Sequence, residues 1–110
     1  MAQFTNLDQL FEKMVEKATH ITLDSELQTT ILLDIDGDEP RRWFVRFEGR
    51  QVSVTAINGI EPQVTVFTDK DTILKVAQRQ VNPTMAFLTG KIKVKGDPAV
   101  LGQLKIIWPD

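Results

Sequence analysis

Apolar residues fall on every second position in successive stretches of this chain, and the pattern restarts after each short break. Ile31, Leu33 and Ile35 share one side of the stretch 29–36, and Trp43, Val45 and Phe47 one side of 42–48. Val52, Val54 and Ala56 do the same in Gln51–Ile57, and Val64, Val66 and Thr68 continue it. A period of two is the period of side chains along a strand, so each stretch reads as a strand with one buried face. The breaks D-G-D-E-P and E-G-R are short and turn-like, so the first three strands are expected to form an antiparallel meander. Arg42, Phe44, Arg46 and Glu48 alternate onto the opposite side of the second strand, which predicts a sheet that needs cover on one face only.

The remaining segments have the period that supplies such cover. Leu7, Leu10, Phe11, Met14, Val15 and Ala18 recur at spacings of three and four, with Glu12, Lys13, Glu16 and Lys17 on the wet side. Asn6 or Thr5 can cap this helix. After the fourth strand, Thr68 and Asp71 form a capping-box pattern ahead of Ile73, Leu74, Val76 and Ala77. Asn82-Pro83 opens a second short helix with proline in its first turn, and Gly90 stops it. Lys91–Lys95 reads as a strand with Ile92 and Val94 inward, and Asp97-Pro98 caps a last helix to about Leu104, followed by an apolar tail, Ile106, Ile107 and Trp108. The expected architecture is α+β: a five-stranded, mainly antiparallel sheet with helices on one face. The last strand, reached through helices, is expected to lie parallel to a neighbour. A chain of 110 residues is enough for one domain, 1–110, and too short for two.

The chemistry is bounded mostly by what is missing. With 13 Lys+Arg against 15 Asp+Glu the net charge is -2, which argues against a general nucleic-acid binder. There is no cysteine, so thiolate metal sites, disulfides and a cysteine nucleophile are excluded. The start M-A-Q-F-T-N lacks a secretory pattern, no apolar run approaches the ~20 residues that span a bilayer, and the expected location is cytoplasmic. The acidic run Asp34–Glu39 fails as a calcium loop: Glu39 stands where glycine is needed and Val45 where the bidentate glutamate is needed. Thr89-Gly90-Lys91 lacks the upstream glycine of a phosphate loop, and Ile92 replaces its Ser/Thr. His20 is the single histidine and has no nucleophile elbow to serve. No constellation supports covalent or metal chemistry, and neither an enzyme nor a cofactor is expected.

One resemblance covers nearly the whole chain. Thr68–Asp97, T-D-K-D-T-I-L-K-V-A-Q-R-Q-V-N-P-T-M-A-F-L-T-G-K-I-K-V-K-G-D, is similar to the C-terminal half of the sterol carrier protein type 2 domain. The most specific part runs from Asn-Pro to Gly-Asp. Arg42–Gly49, R-W-F-V-R-F-E-G, resembles that family's tryptophan-bearing strand, while Thr19–Gln28 matches weakly. The resemblance implies an apolar tunnel between sheet and helices. It also implies binding of a fatty acid, acyl-CoA, sterol or isoprenoid-like lipid, either for transport or for presentation to a partner enzyme. This chain lacks the peroxisomal tail of eukaryotic members.

On that basis Leu10, Phe11 and Met14 of the opening helix and Met85, Phe87 and Leu88 of the Asn82–Gly90 helix are expected to form a movable lid. Ile31, Leu33, Val45 and Val66 supply the sheet floor, and Leu74, Leu104 and Trp108 complete the lining. Lys91, Lys93 and Lys95 read first as charge protecting an edge strand, with transient contact to an anionic membrane as the functional alternative. A cavity for an acyl chain needs at least roughly 300 Å³. Empty and rigid, it would cost about 7 kcal/mol at roughly 24 cal/mol per Å³, against a typical domain stability of about 5–15 kcal/mol. Either lipid fills such a space or the helices relax inward.

Overall fold

The computed structural model describes residues 5–56, 59 and 61–109. Met1–Phe4, Ile57, Asn58, Ile60 and Asp110, with the readings that fall on them, lie outside the described residues. Asn6 caps α1 (Leu7–His20) by accepting from the Gln9 N–H at 2.9 Å, and Gln9 Oε1 accepts from the Thr5 N–H at 2.7 Å. Leu7, Leu10, Met14 and Ala18 are its buried stripe. Strands β1 (Leu27–Asp36), β2 (Arg41–Gly49) and β3 (Gln51–Thr55) form the expected antiparallel meander. The turn between β2 and β3 is tight because Gly49 takes φ +65°. The inner face pairs Ile31 with Val45 and Leu33 with Trp43, and carries Phe47 and Ile35 beside them, all almost completely buried under the helices.

The sheet order is β3-β2-β1-β4-β5, and the parallel pair is not where the sequence places it. β4 (Val64–Asp69) runs parallel to β1, and β5 (Lys93–Lys95) runs antiparallel to β4. The reason is the connections. α2 (Lys70–Ala77) and α3 (Pro83–Leu88) together bring the chain back to the end where β4 finished, so β5 can only return beside it. β3 already points along β1, and β2 and β1 stand between it and β4 in the sheet.

A second expectation also shifts. Leu32 and Phe44 face each other on the side away from the helices, yet are only 3% and 4% exposed. They lie outside the helix-side core, so the outer face is wet only in part.

Local signals also shift by a residue or two. β4 continues through Asp69, and it is Asp69, not Thr68, that caps α2, accepting from the Thr72 N–H at 2.8 Å and hydroxyl at 3.1 Å. Lys91 and Ile92 spend their N–H groups on the Ala86 carbonyl at the end of α3, so β5 begins only at Lys93. Asp97 accepts from the Ala99 N–H in the turn before α4 (Val100–Leu104), which runs into a single 3₁₀ turn, Lys105–Ile107.

Gly96 is a point where backbone and packing both demand glycine. Its φ is +125°, and a Cβ there would meet Val64 Cγ2 at 3.1 Å. Gly96→Ala is expected to destabilise the fold by about 1–3 kcal/mol, read as a lower urea midpoint at unchanged slope.

Candidate functional site

Between the β1–β4 half of the sheet and its roof lies an apolar cavity. Leu33, Val66 and Thr68 form its floor, and Ile92 from the approach to β5 joins them. Ile73 and Val76 of α2, Pro83 at the start of α3, Leu101 and Leu104 of α4 and finally Trp108 form the roof and wall. Measured by the centres of a water-sized sphere its volume is ≈ 10 Å³. That is room for about one water, so the structure does not show the acyl-sized tunnel, of at least roughly 300 Å³, that the resemblance implies. The tail closes it: Ile107 and Trp108 are buried, and the Lys17 ammonium donates to the Trp108 carbonyl at 2.6 Å, tying the tail to the last turn of α1.

The expected site residues divide into separate groups. Leu33, Val66, Leu104 and Trp108 line this cavity. Leu10, Met14, Ile31 and Val45 are fully buried and stand outside its lining, as part of the packed core that α1 shares. Phe11 is half-buried with its ring 5.2 Å from that of Trp43, tilted by 51°. Leu74 and Phe87 are half-buried against the core, and on α2 Ile73 and Val76 take the place expected of Leu74. The other two lid residues differ outright: Met85 is 56% exposed and Leu88 70%. α3 is six residues long and buries only Ala86, while Met85 and Leu88, three residues apart, turn outward. Thr68, Ile73, Val76, Pro83, Ile92 and Leu101 were not anticipated as lining. The i, i+3 spacing of Ile73 and Val76 was a legible signal, and the inward parity of Thr68 another.

The lining exposes no polar surface. Thr68 Oγ1 and Trp108 Nε1 are buried, and neither has a hydrogen-bond partner among the described residues. A buried donor left unmade costs about 1–3 kcal/mol. The remaining lining is uncharged.

On the other side of the wall is a surface pocket of ≈ 210 Å³, lined by Val76, Arg79, Val81, Asn82, Pro83, Lys105 and Trp108. Val76, Pro83 and Trp108 belong to both pockets, so they are the partition between the buried cavity and a vestibule bearing Arg79 and Lys105. Arg79 holds φ +64°, a left-handed conformation that disfavours any residue with a Cβ, at the turn joining α2 to α3. A third pocket, ≈ 200 Å³, lies at the N-terminus of α1 and is lined by charged groups. There Arg41 bridges Asp8 at 3.3 Å and Glu39 at 3.2 Å, and its hydrogen bonds to Glu39 first and Asp8 second raise its pKa further above the ordinary range. This exposed clamp fastens α1 to the β1–β2 turn. Among the described residues no cluster of His, Asp and Glu gathers to hold a metal ion, and no helix is long and apolar enough to cross a membrane. Lys93 and Lys95 lie exposed opposite Phe67 and Thr65 on the outer face of β5, and Lys91 is exposed just before it.

A comparison with curated proteins by sequence found no match. Among solved structures, palmitated SCP2L2 from Aedes aegypti is similar, with TM-score 0.78 and 19% identity over 94% of this chain and 95% of that one. A ubiquinone synthesis protein described as UbiJ-SCP2 gives TM-score 0.59 and 18% identity over 88% of this chain and 84% of that one. The inverting sec-alkylsulfatase Pisa1 from Pseudomonas sp. gives TM-score 0.62 and 18% identity over 94% of this chain but only 16% of its own, so there the fold is one part of a larger enzyme. At these identities the likeness is one of fold. A family model matches by sequence over residues 6–107, and by it the chain belongs to the SCP-2 sterol transfer family.

Proposed function

We propose that this protein binds a lipid non-covalently between sheet and helices, and carries it without chemical change. The observation that bears the reading is the pairing of an apolar cavity with a cationic vestibule across a thin wall, Val76, Pro83 and Trp108. An aliphatic chain enters through that wall and displaces the short roof elements, α2, α3 and the C-terminal turn. Each buried methylene contributes about 0.8 kcal/mol, so a chain of about sixteen carbons gains up to ~13 kcal/mol gross. That gain has to exceed the cost of opening the roof and ordering the ligand. Arg79 and Lys105 suit the polar end of a ligand such as a fatty acid or acyl-CoA, left in the vestibule; the apolar cavity suits a sterol or isoprenoid equally. No general acid, base or nucleophile is required.

Presentation of a lipid to a partner enzyme is the second reading. It is favoured by the outward Met85 and Leu88 on α3, and by the occurrence of the fold within a sulfatase chain. The same two side chains, with Lys91, Lys93 and Lys95 close in sequence, suit transient contact with an anionic membrane in the cytosol.

A fluorescent fatty acid is expected to bind saturably and to be displaced by unlabelled lipid, with Trp108 emission following occupancy. A ligand at a hundredfold its Kd is expected to raise unfolding free energy by about 2.7 kcal/mol, seen in thermal melts. Absence of saturable binding across fatty acids, acyl-CoA and sterols would count against carriage. For the membrane step, vesicles rich in anionic lipid are expected to sediment the protein at low salt. Leu88→Asp should weaken this several-fold, whereas equal sedimentation by neutral vesicles would remove the role of the lysines.

A further inference from the structure

Three residues wall the apolar cavity off from the vestibule, and they are held very differently. Val76 sits within α2, and Pro83 in the first turn of α3, which the Asn82 side chain caps. Trp108 lies outside any helix, just after the 3₁₀ turn Lys105–Ile107. Its backbone N–H reaches the Lys105 carbonyl only at 3.4 Å, long for a hydrogen bond, and its indole Nε1 has no partner among the described residues. Its carbonyl, by contrast, accepts from the Lys17 ammonium at 2.6 Å, a short, charge-assisted bond between residues 91 positions apart. Lys17 belongs to α1, so the firm half of the roof holds the wall residue that the weak half leaves loose.

Resting on the carriage reading, we propose that Trp108 is the gate between vestibule and cavity, and that Lys17 is a positioning residue whose bond to the Trp108 carbonyl is the latch. With the indole swung aside, the ≈ 10 Å³ cavity and the ≈ 210 Å³ vestibule become one space, larger than both by what the indole vacates. An aliphatic chain then passes without disturbing the sheet floor or α1. Entry beneath α1 fits less well, because Leu10 and Met14 are fully buried there and stand outside the cavity lining. The latch is made at the backbone and not at the indole, so it re-forms over a loaded cavity as over an empty one. It therefore sets how fast lipid enters and leaves, and has little effect on affinity.

Stopped-flow mixing of the full chain with cis-parinaric acid, kept below its micellar concentration, tests the latch. Lys17→Met keeps the aliphatic stem and removes the donor. It is expected to raise the association and dissociation rates together by about three- to tenfold, with Kd changed by less than about twofold. Lys17→Arg keeps a cationic donor and is expected to return both rates toward those of the unmodified protein. Losing a cation can only slow the encounter with an anionic probe, so a faster entry has the opposite sign to a charge effect. Amide exchange reads the same event without lipid: residues 105–108 are expected to exchange faster in Lys17→Met, while β1 and β2 keep their protection. Unchanged rates in Lys17→Met would overturn the proposal, as would a weaker Kd without faster entry, which a merely structural role would give. So would tail exchange indifferent to the substitution. If neither the unmodified protein nor the variant binds the probe, carriage fails and the gate with it; if both bind at one rate, the gate alone fails.

Discussion

One apolar sheet face has to be roofed, and this chain roofs it unevenly. Over β3, β2 and the near side of β1 the cover is α1, a fourteen-residue helix with a full buried stripe, a side-chain cap and an arginine clamp to the neighbouring turn. Over β4 and the far side of β1 the cover is assembled from short pieces: eight residues of α2, six of α3, five of α4 and a 3₁₀ turn. Short helices have little stability of their own and depend on what they pack against. The half of the molecule with the weaker roof is the half that contains the cavity, the partition and the vestibule.

Several strained or unsatisfied groups lie there, although the Thr55 hydroxyl at the end of β3 is also buried without a partner among the described residues. Arg79 in a left-handed conformation, Thr68 and Trp108 with unmade hydrogen bonds, and an α3 that buries a single alanine all lie in or beside the wall of one small pocket. Local costs of this kind persist where function needs them.

The layered architecture was legible because its signals are periodic. The two-residue alternation in β1 and β2 and the three- and four-residue spacing in α1 survive into the structure residue for residue. The strand pairing of β4 and β5 was not legible, because it depends on where the chain leaving β3 re-enters the sheet and on two helices acting as one return path. Leu32 and Phe44, large apolar residues at outward positions, were a faint sign that the outer face is partly covered. In the site, the inward parity of Leu33 and Val66 was legible, whereas Leu104 and Trp108 entered only with the family resemblance. Met85 and Leu88 could not be placed, because a helix of six residues has too few turns for its apolar pattern to say which side is buried. Thr68 reads both as an inward strand position and as a helix cap; the structure gives the cap to Asp69 and keeps Thr68 on the inner face of the strand.

The central claim is that the weaker half of the roof opens to admit a lipid and closes over it. Amide hydrogen exchange, followed residue by residue with and without saturating lipid, tests this most directly. Carriage predicts fast exchange in α2, α3 and α4 of the empty protein and marked slowing there on loading, with α1, β1 and β2 protected in both states. Uniform protection across both halves of the roof, unchanged by any lipid, would contradict it.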